Sequence, residues 1–193
     1  ANTTASNNTA VGGGTLGSNT AGESNCAFGE GALNQNTTAN NNTAVGRSAL
    51  LTNTTGEQNV AVGALALDAN ITADYNTALG HQALTTNTTG NGNTGLGRKA
   101  LLMNTTGANN VGVGRQALQE NTTASNNTAV GYNSLLSNTT GTENVAVGSF
   151  ALDANTTANN NTGVGFDALS SNTTGILHTA LGSKALKANT TSE

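Results

Sequence analysis

The apolar positions of the chain recur with a period of 17 residues. A glycine closes each Asn-Thr-Ala-Val-Gly segment from Gly12 to Gly182, and a leucine follows four positions later from Leu16 to Leu186. Neither series is interrupted by an insertion or a deletion. We number each unit from the asparagine that opens Asn-Thr-Thr, so the glycine is at position 11 and the leucine at position 15. A fixed period of this kind predicts stacked units, each packed only on its neighbours.

The length and composition of the unit favour β-structure. Seventeen residues are too few for two helices and a turn, whereas the Thr- and Val-bearing segment before the glycine suits a short strand. Stacking at the strand spacing of about 4.8 Å gives a rod of about 50 Å. The sequence therefore predicts an all-β fold, a parallel β-solenoid of about eleven 17-residue coils. Residues 1–193 are expected to form one repetitive segment of a longer fibrous protein.

Comparison of the units with one another separates variable from restricted positions. Three pairs vary freely, as at Glu57 and Gln58, Arg98 and Lys99, or Gln119 and Glu120, and we expect them to form solvent-facing corners. The opening asparagine is constant, and its side-chain amide can pass hydrogen bonds from coil to coil as in cross-β stacks. The predicted ladder comprises Asn2, Asn36, Asn53, Asn87, Asn104, Asn121, Asn138, Asn155 and Asn172.

The two large apolar residues of each unit suggest self-association. In a strand, Ala10 and Val11 point to opposite faces, so if the alanine lies inside the thin coil the valine lies outside. We expect a Val/Leu stripe along the rod, which three chains around a common axis would bury. The predicted core or seam residues are Val11, Leu16, Val45, Leu50, Val62, Leu67, Val130, Leu135, Val147 and Leu152.

The Asn-Thr-Ala-Val-Gly-x-x-Ala-Leu segments, as at 42–50 and 127–135, resemble the repeats of YadA-like trimeric autotransporter adhesin heads and of phage tail fibres. The resemblance covers the whole chain and implies a left-handed parallel β-roll, a side-by-side homotrimer and a role in surface attachment. The unit here is longer, because Asn-Thr-Thr is added. A three-sided left-handed β-helix fits residues 45–49 but would need aliphatic residues at variable positions such as Thr52 and Gln119, and it ranks second.

Composition and charge narrow the candidate chemistry. Charged residues make up 8% of the chain and the net charge is −4, with six Lys and Arg residues spread thinly, so nucleic acid is not an expected partner. No apolar run approaches the roughly 18 residues that span a bilayer, so membrane insertion is not expected. His81 and His178 lack recurring partners, and the carboxylates do not recur as in calcium-binding repeats. We expect no enzymatic activity, metal or cofactor, and interpret Cys26 as a small buried residue.

Asn-Thr-Thr is also an N-glycosylation sequon. The possible glycan acceptors are Asn36, Asn53, Asn87 and Asn121, although ladder formation alone would select the same residues. The leading functional hypothesis is a structural or adhesive repeat region of an extracellular fibre, on a cell surface or virion, with copies of itself and a surface receptor as partners. A self-assembling filament subunit and an ice-binding solenoid that uses Thr and Asn ladders are the alternatives.

Overall fold

The computed structural model describes residues 4–191, which contain eleven three-residue strands in a single parallel sheet. The strands follow one another in sequence order and no helix occurs among these residues. They are β1 (Thr9–Val11), β2 (Cys26–Phe28), β3 (Thr43–Val45), β4 (Val60–Val62), β5 (Thr77–Leu79), β6 (Thr94–Leu96), β7 (Val111–Val113), β8 (Thr128–Val130), β9 (Val145–Val147), β10 (Thr162–Val164) and β11 (Thr179–Leu181). The predicted parallel β-solenoid with a 17-residue repeat is confirmed, with about ten turns.

Each strand pairs in register with the strand one unit later, so Thr43, Ala44 and Val45 lie beside Val60, Ala61 and Val62. Stacking continues outside the strands. The backbone N–H of Leu50 donates to the Ala66 carbonyl at 3.0 Å, and that of Ser48 donates to the Glu30 carbonyl at 2.8 Å. Because turns as well as strands are bonded between coils, an insertion would break many bonds at once, which explains the constant unit length.

The interior of the coil is filled by alanines at positions 9 and 14 and by the leucine at position 15. Leu33, Leu50 and seven further leucines up to Leu169 are fully buried, and the position-9 alanines are buried from Ala27 onward. The prediction that leucine shares an outward stripe with valine is therefore wrong for Leu16, Leu50, Leu67, Leu135 and Leu152. Beside the buried asparagines, the alanine rows leave interior space for one large apolar side chain per coil, and leucine occupies it while valine faces out.

The leucine reaches the interior through an unusual backbone conformation. All eleven position-15 leucines have φ between 48° and 53°, the left-handed region that costs a side-chain-bearing residue roughly 1–2 kcal/mol. Burial of the leucine side chain supplies about 1.5–3 kcal/mol, which offsets that cost. The leucine therefore supplies the main apolar contact of the coil from a left-handed turn position.

Candidate functional site

The asparagines at position 1 form a continuous buried ladder. From Asn36 to Asn189, each side-chain Nδ2 donates to Oδ1 of the asparagine one unit earlier, at 2.7–3.4 Å. The same Nδ2 also donates to the carbonyl at position 4 of its own unit, as in Asn53 to Gly56 at 2.9 Å. The structure places Asn36, Asn53, Asn87, Asn104, Asn121, Asn138, Asn155 and Asn172 in this ladder, and Asn2 lies outside the described residues.

A second asparagine ladder runs at position 7, directly before the strands. The backbone N–H of Asn42 donates to Oδ1 of Asn25 at 3.0 Å, and Asn42 Nδ2 donates to the Gly56 carbonyl at 2.9 Å. Gly56 O therefore accepts from Asn53 of its own unit and from Asn42 of the unit before. This shared carbonyl joins the two ladders into one network, in which every amide has a defined partner. Such a network holds adjacent coils in a single register.

Burial of the ladder excludes glycan attachment to the folded coil. Asn36, Asn53, Asn87 and Asn121 are all 0% exposed, and their amide nitrogens are engaged in the ladder. A glycosylated amide nitrogen could not keep its two hydrogen bonds and would carry a bulky group into a closed interior. The interpretation of these four asparagines as glycan acceptors in the folded protein is therefore wrong.

The outward sheet face carries an apolar row at position 10, whose residues are exposed or half-buried. Val11 is 47% exposed, Leu79 45% and Val147 36%, while Val45, Val62 and Val130 are half-buried. The neighbouring row at position 8 holds threonine or valine in every strand except β2, where Cys26 is exposed. The interpretation of Cys26 as a buried residue is wrong, because position 8 shares the outward face with position 10.

Four of the ten acidic residues and five of the six basic residues lie, respectively, on the two edges that flank this face. Positions 5 and 6, before the strand, hold Glu23, Glu57, Asp74 and Glu143, and we call them the acidic edge. Positions 12 and 13, after the strand, hold five of the six Lys and Arg residues, and we call them the basic edge; these are Arg47, Arg98, Lys99, Arg115 and Lys184. Cations that are thinly spread in sequence therefore share one column, together with Glu30 and Asp167, and this alignment was not predicted from the sequence.

Two carboxylates at position 16 are poorly solvated. Asp68 and Asp153 are half-buried, and Oδ1 of each is buried without a hydrogen-bond partner. Burial raises the pKa of both carboxyl groups, and for Asp153 the nearby Asp167 raises it further. A pKa that is higher in the folded than in the unfolded chain means that ionisation at neutral pH opposes folding.

We expect the double substitution Asp68→Asn and Asp153→Asn to raise the melting temperature at pH 7. Asparagine is natural at this position, where the Asn34 amide donates to the Gly14 carbonyl at 2.7 Å. The gain should shrink as the pH falls through the raised pKa, because the parent carboxyls then become neutral too. Thermal melts from pH 4 to pH 8, with the exposed Glu120→Gln as control, measure this. A gain that grows toward acid pH would contradict the assignment.

Within the described part of the chain no cavity and no cluster of metal-ligating side chains occurs, nor does any helix long and apolar enough to cross a membrane. The distinctive features are thus the ladders, the sheet face and the two edges, which define the class as a parallel β-solenoid repeat protein with buried asparagine ladders. No protein-family model, curated protein or solved structure matches the chain significantly.

Proposed function

We propose that the chain is a stiff repeat region of an extracellular fibre, on a cell surface or a virion, that sets distance and contributes to attachment. The observation that carries this proposal is the uninterrupted in-register stacking of eleven strands, bonded by backbone and asparagine ladders along the whole described length. A rod whose coils are joined at every turn resists bending and shear. The described coils, 4–191, share one length without inserted loops, which suits a spacer better than a binding module built on variable insertions.

We further propose that copies associate side by side through the sheet face, as a homotrimer of left-handed β-rolls. The position-10 row runs the full length of the sheet with valine, leucine or phenylalanine in every strand, and Phe28 is 56% exposed. An apolar row that remains exposed or half-buried along the whole sheet is typical of an interaction surface. Three rods around a common axis would each bury the same row, and the identical spacing of the coils would keep the rows in step.

We expect light scattering after size exclusion to give three times the 19.0 kDa chain mass. The double substitution Val113→Lys and Val130→Lys should give the single-chain mass, because it brings charge into the contact without touching the interior. Thr106→Lys with Thr123→Lys, at the exposed position 3 of the same two units, is the matched control and should keep the trimer mass. A monomeric parent protein would overturn the association, as would equal effects of both pairs.

The exposed Cys26 thiol provides a test of whether neighbouring copies associate in parallel. Parallel copies around one axis place their Cys26 residues at the same height, so mild oxidation should give disulfide-linked dimers within the trimer. The Val113→Lys and Val130→Lys variant should lose this cross-link along with the trimer mass. Efficient association without a cross-link would point to antiparallel packing.

Ice binding is the second candidate, favoured by the exposed threonine row at position 3 that repeats in every coil from Thr38 to Thr174. The hydroxyls of the adjacent position-2 row are engaged, since Thr37 Oγ1 donates to the Thr54 carbonyl at 3.0 Å. A single free row is a narrower face than a two-row threonine array. Thermal hysteresis in a nanolitre osmometer distinguishes the two functions, because a fibre segment shows none.

A further inference from the structure

Between residues 81 and 166, the basic edge carries a run of basic and aromatic side chains. His81, Arg98, Arg115, Tyr132 and Phe166 all occupy position 12, and all five side chains are exposed. Lys99 and Phe150 lie beside them at position 13. From His81 to Phe166 the column covers six consecutive coils, about 24 Å at strand spacing.

Three of the five aromatic residues of the protein meet on this edge. The ring centroids of Tyr132 and Phe150 are 5.2 Å apart and those of Phe150 and Phe166 6.2 Å apart, both in edge-to-face geometry. The Arg115 guanidinium carbon lies 5.4 Å from the centre of the Tyr132 ring, which connects the cationic half of the edge to its aromatic half.

The fold does not require these aromatic side chains. Tyr132 is 38% and Phe166 48% exposed, and Ser149 holds the same position in the coil between them. Phe150 has φ of 60°, a conformation in which a bulky residue is disfavoured and in which Asn133 stands one coil earlier. Apart from Leu65, the repeat otherwise carries small or polar residues at these two positions. A contiguous group of rings there is typical of an interaction surface.

We propose that the basic edge from His81 to Phe166 binds an acidic polysaccharide that lies along the rod axis. Guanidinium groups bind carboxylate or sulfate in a fork geometry, and Arg98 and Arg115 are one coil apart. Aromatic rings pack against the apolar C–H faces of pyranose rings. Tyr132 and Phe166 are two coils apart, about 10 Å, which approximates the disaccharide repeat of an extended polysaccharide.

The shape and charge of the surroundings favour this ligand. The edge is open and no cavity lies near it in the described chain, so an extended polymer fits better than a small molecule. The described residues contain one salt bridge, between Lys187 and Asp167, so the three arginines form none. Single-stranded nucleic acid is generally bound in a positively charged groove that also carries the stacking rings, whereas this edge is open and its cations and rings occupy separate halves.

Titration calorimetry with polygalacturonate oligomers tests the proposal, with methyl-esterified oligomers of the same backbone as the uncharged probe. We expect binding to the acidic form that weakens as salt rises, and at least about tenfold weaker binding to the ester. Arg98→Ser with Arg115→Ser should lower the affinity and flatten the salt dependence. Tyr132→Ser with Phe166→Ser should lower the affinity about tenfold and leave the salt dependence unchanged. Serine is natural at this position, as at Ser149 and Ser183, so these variants are expected to fold.

The matched control is Tyr75→Asn, which removes a 61% exposed aromatic ring from the acidic edge and should leave the affinity unchanged. Heparin serves as a sulfated probe beside polygalacturonate, and the proposal is overturned if neither polysaccharide binds. It is also overturned if the esterified oligomers bind equally well, or if Tyr75→Asn weakens binding as much as the edge variants. Tighter binding of oligo(dT) than of either polysaccharide would replace the ligand class with nucleic acid. The mass measured by light scattering is independent of all these outcomes, so failure here is distinguishable from failure of the proposed assembly.

Discussion

Gly97→Ala should destabilise the protein by about 3–5 kcal/mol, among the largest effects expected of one methyl group. Gly97 has φ of 137°, which L side chains rarely adopt. A Cβ atom there would lie 2.5 Å from the carbonyl oxygen and 2.6 Å from the carbonyl carbon of Gly114 in the next coil. Gly114 cannot retreat without loss of its own 2.7 Å hydrogen bond to the Leu96 carbonyl.

The Gly97→Ala substitution should weaken one contact between neighbouring coils and thereby lower the cooperativity with which the whole rod unfolds. Because a solenoid is stabilised by contacts between nearest neighbours, a weakened contact in the middle uncouples the two halves. Urea unfolding followed by circular dichroism should therefore show a lower midpoint and a broader or divided transition.

The control for Gly97→Ala is Gly95→Ala, two residues earlier in the same chain segment. Its Cβ would meet the Leu84 side chain at 3.3 Å, which can shift slightly, and Ala44, Ala61 and Ala78 hold the same position in other coils. We expect a change within about 1 kcal/mol of the parent. Equal losses for the two variants would show that backbone conformation and close approach do not explain the constant glycine.

The sequence predicted the period, the strand and the inward alanine, because each depends on a local rule repeated in every unit. Alternation within a strand places Ala44 inside and Val45 outside, as observed. The same rule fails for Leu50, because the glycine at position 11 ends the strand and the leucine lies in a turn. Its left-handed φ could not be predicted, since leucine is an unusual residue for that conformation.

The charged columns and the exposed Cys26 thiol were not predicted, because the residues of each column lie far apart along the chain and are brought together only by their shared position in the repeat unit. Sorting charged residues by their position within the unit would have shown that Arg98 and Arg115 share a column opposite that of Glu57 and Asp74. Position 8 of Cys26 already placed its thiol on the valine face. The sequon at Asn53 indicates a possible glycan acceptor, yet the asparagine that would carry the glycan is the side chain that the ladder buries.

Asn104→Asp should destabilise the protein by about 3–5 kcal/mol at pH 7, although the two side chains have nearly the same shape. Asn104 Nδ2 donates to Asn87 Oδ1 at 2.7 Å and to the Gly107 carbonyl at 2.9 Å, while its Oδ1 accepts from Asn121 Nδ2 at 2.8 Å. A carboxylate would keep the hydrogen bond from Asn121 Nδ2. Its second oxygen, however, would face the Asn87 and Gly107 oxygens in a fully buried position.

The pH dependence of the stability loss tests whether the buried carboxylate is its cause. Burial of the new carboxyl group raises its pKa above that of the unfolded chain, so the folded state binds the extra proton as the pH falls. The loss should be complete at pH 7 and should diminish toward acid pH, where the protonated group can again donate one hydrogen bond. Urea unfolding of the variant and the parent from pH 4 to pH 7 measures the difference.

Asn91→Asp provides the matched control on the acidic edge. Asn91 is exposed and acts through Oδ1, which accepts from the Asp74 backbone N–H at 2.8 Å, and Asp74 performs the same role for Glu57 at 2.7 Å. An aspartate at residue 91 keeps that acceptor in water, so we expect a change within about 1 kcal/mol at any of these pH values. If the two variants lose equal stability at pH 7, or if Asn104→Asp loses more at acid pH, the buried amide ladder does not hold the coils in register.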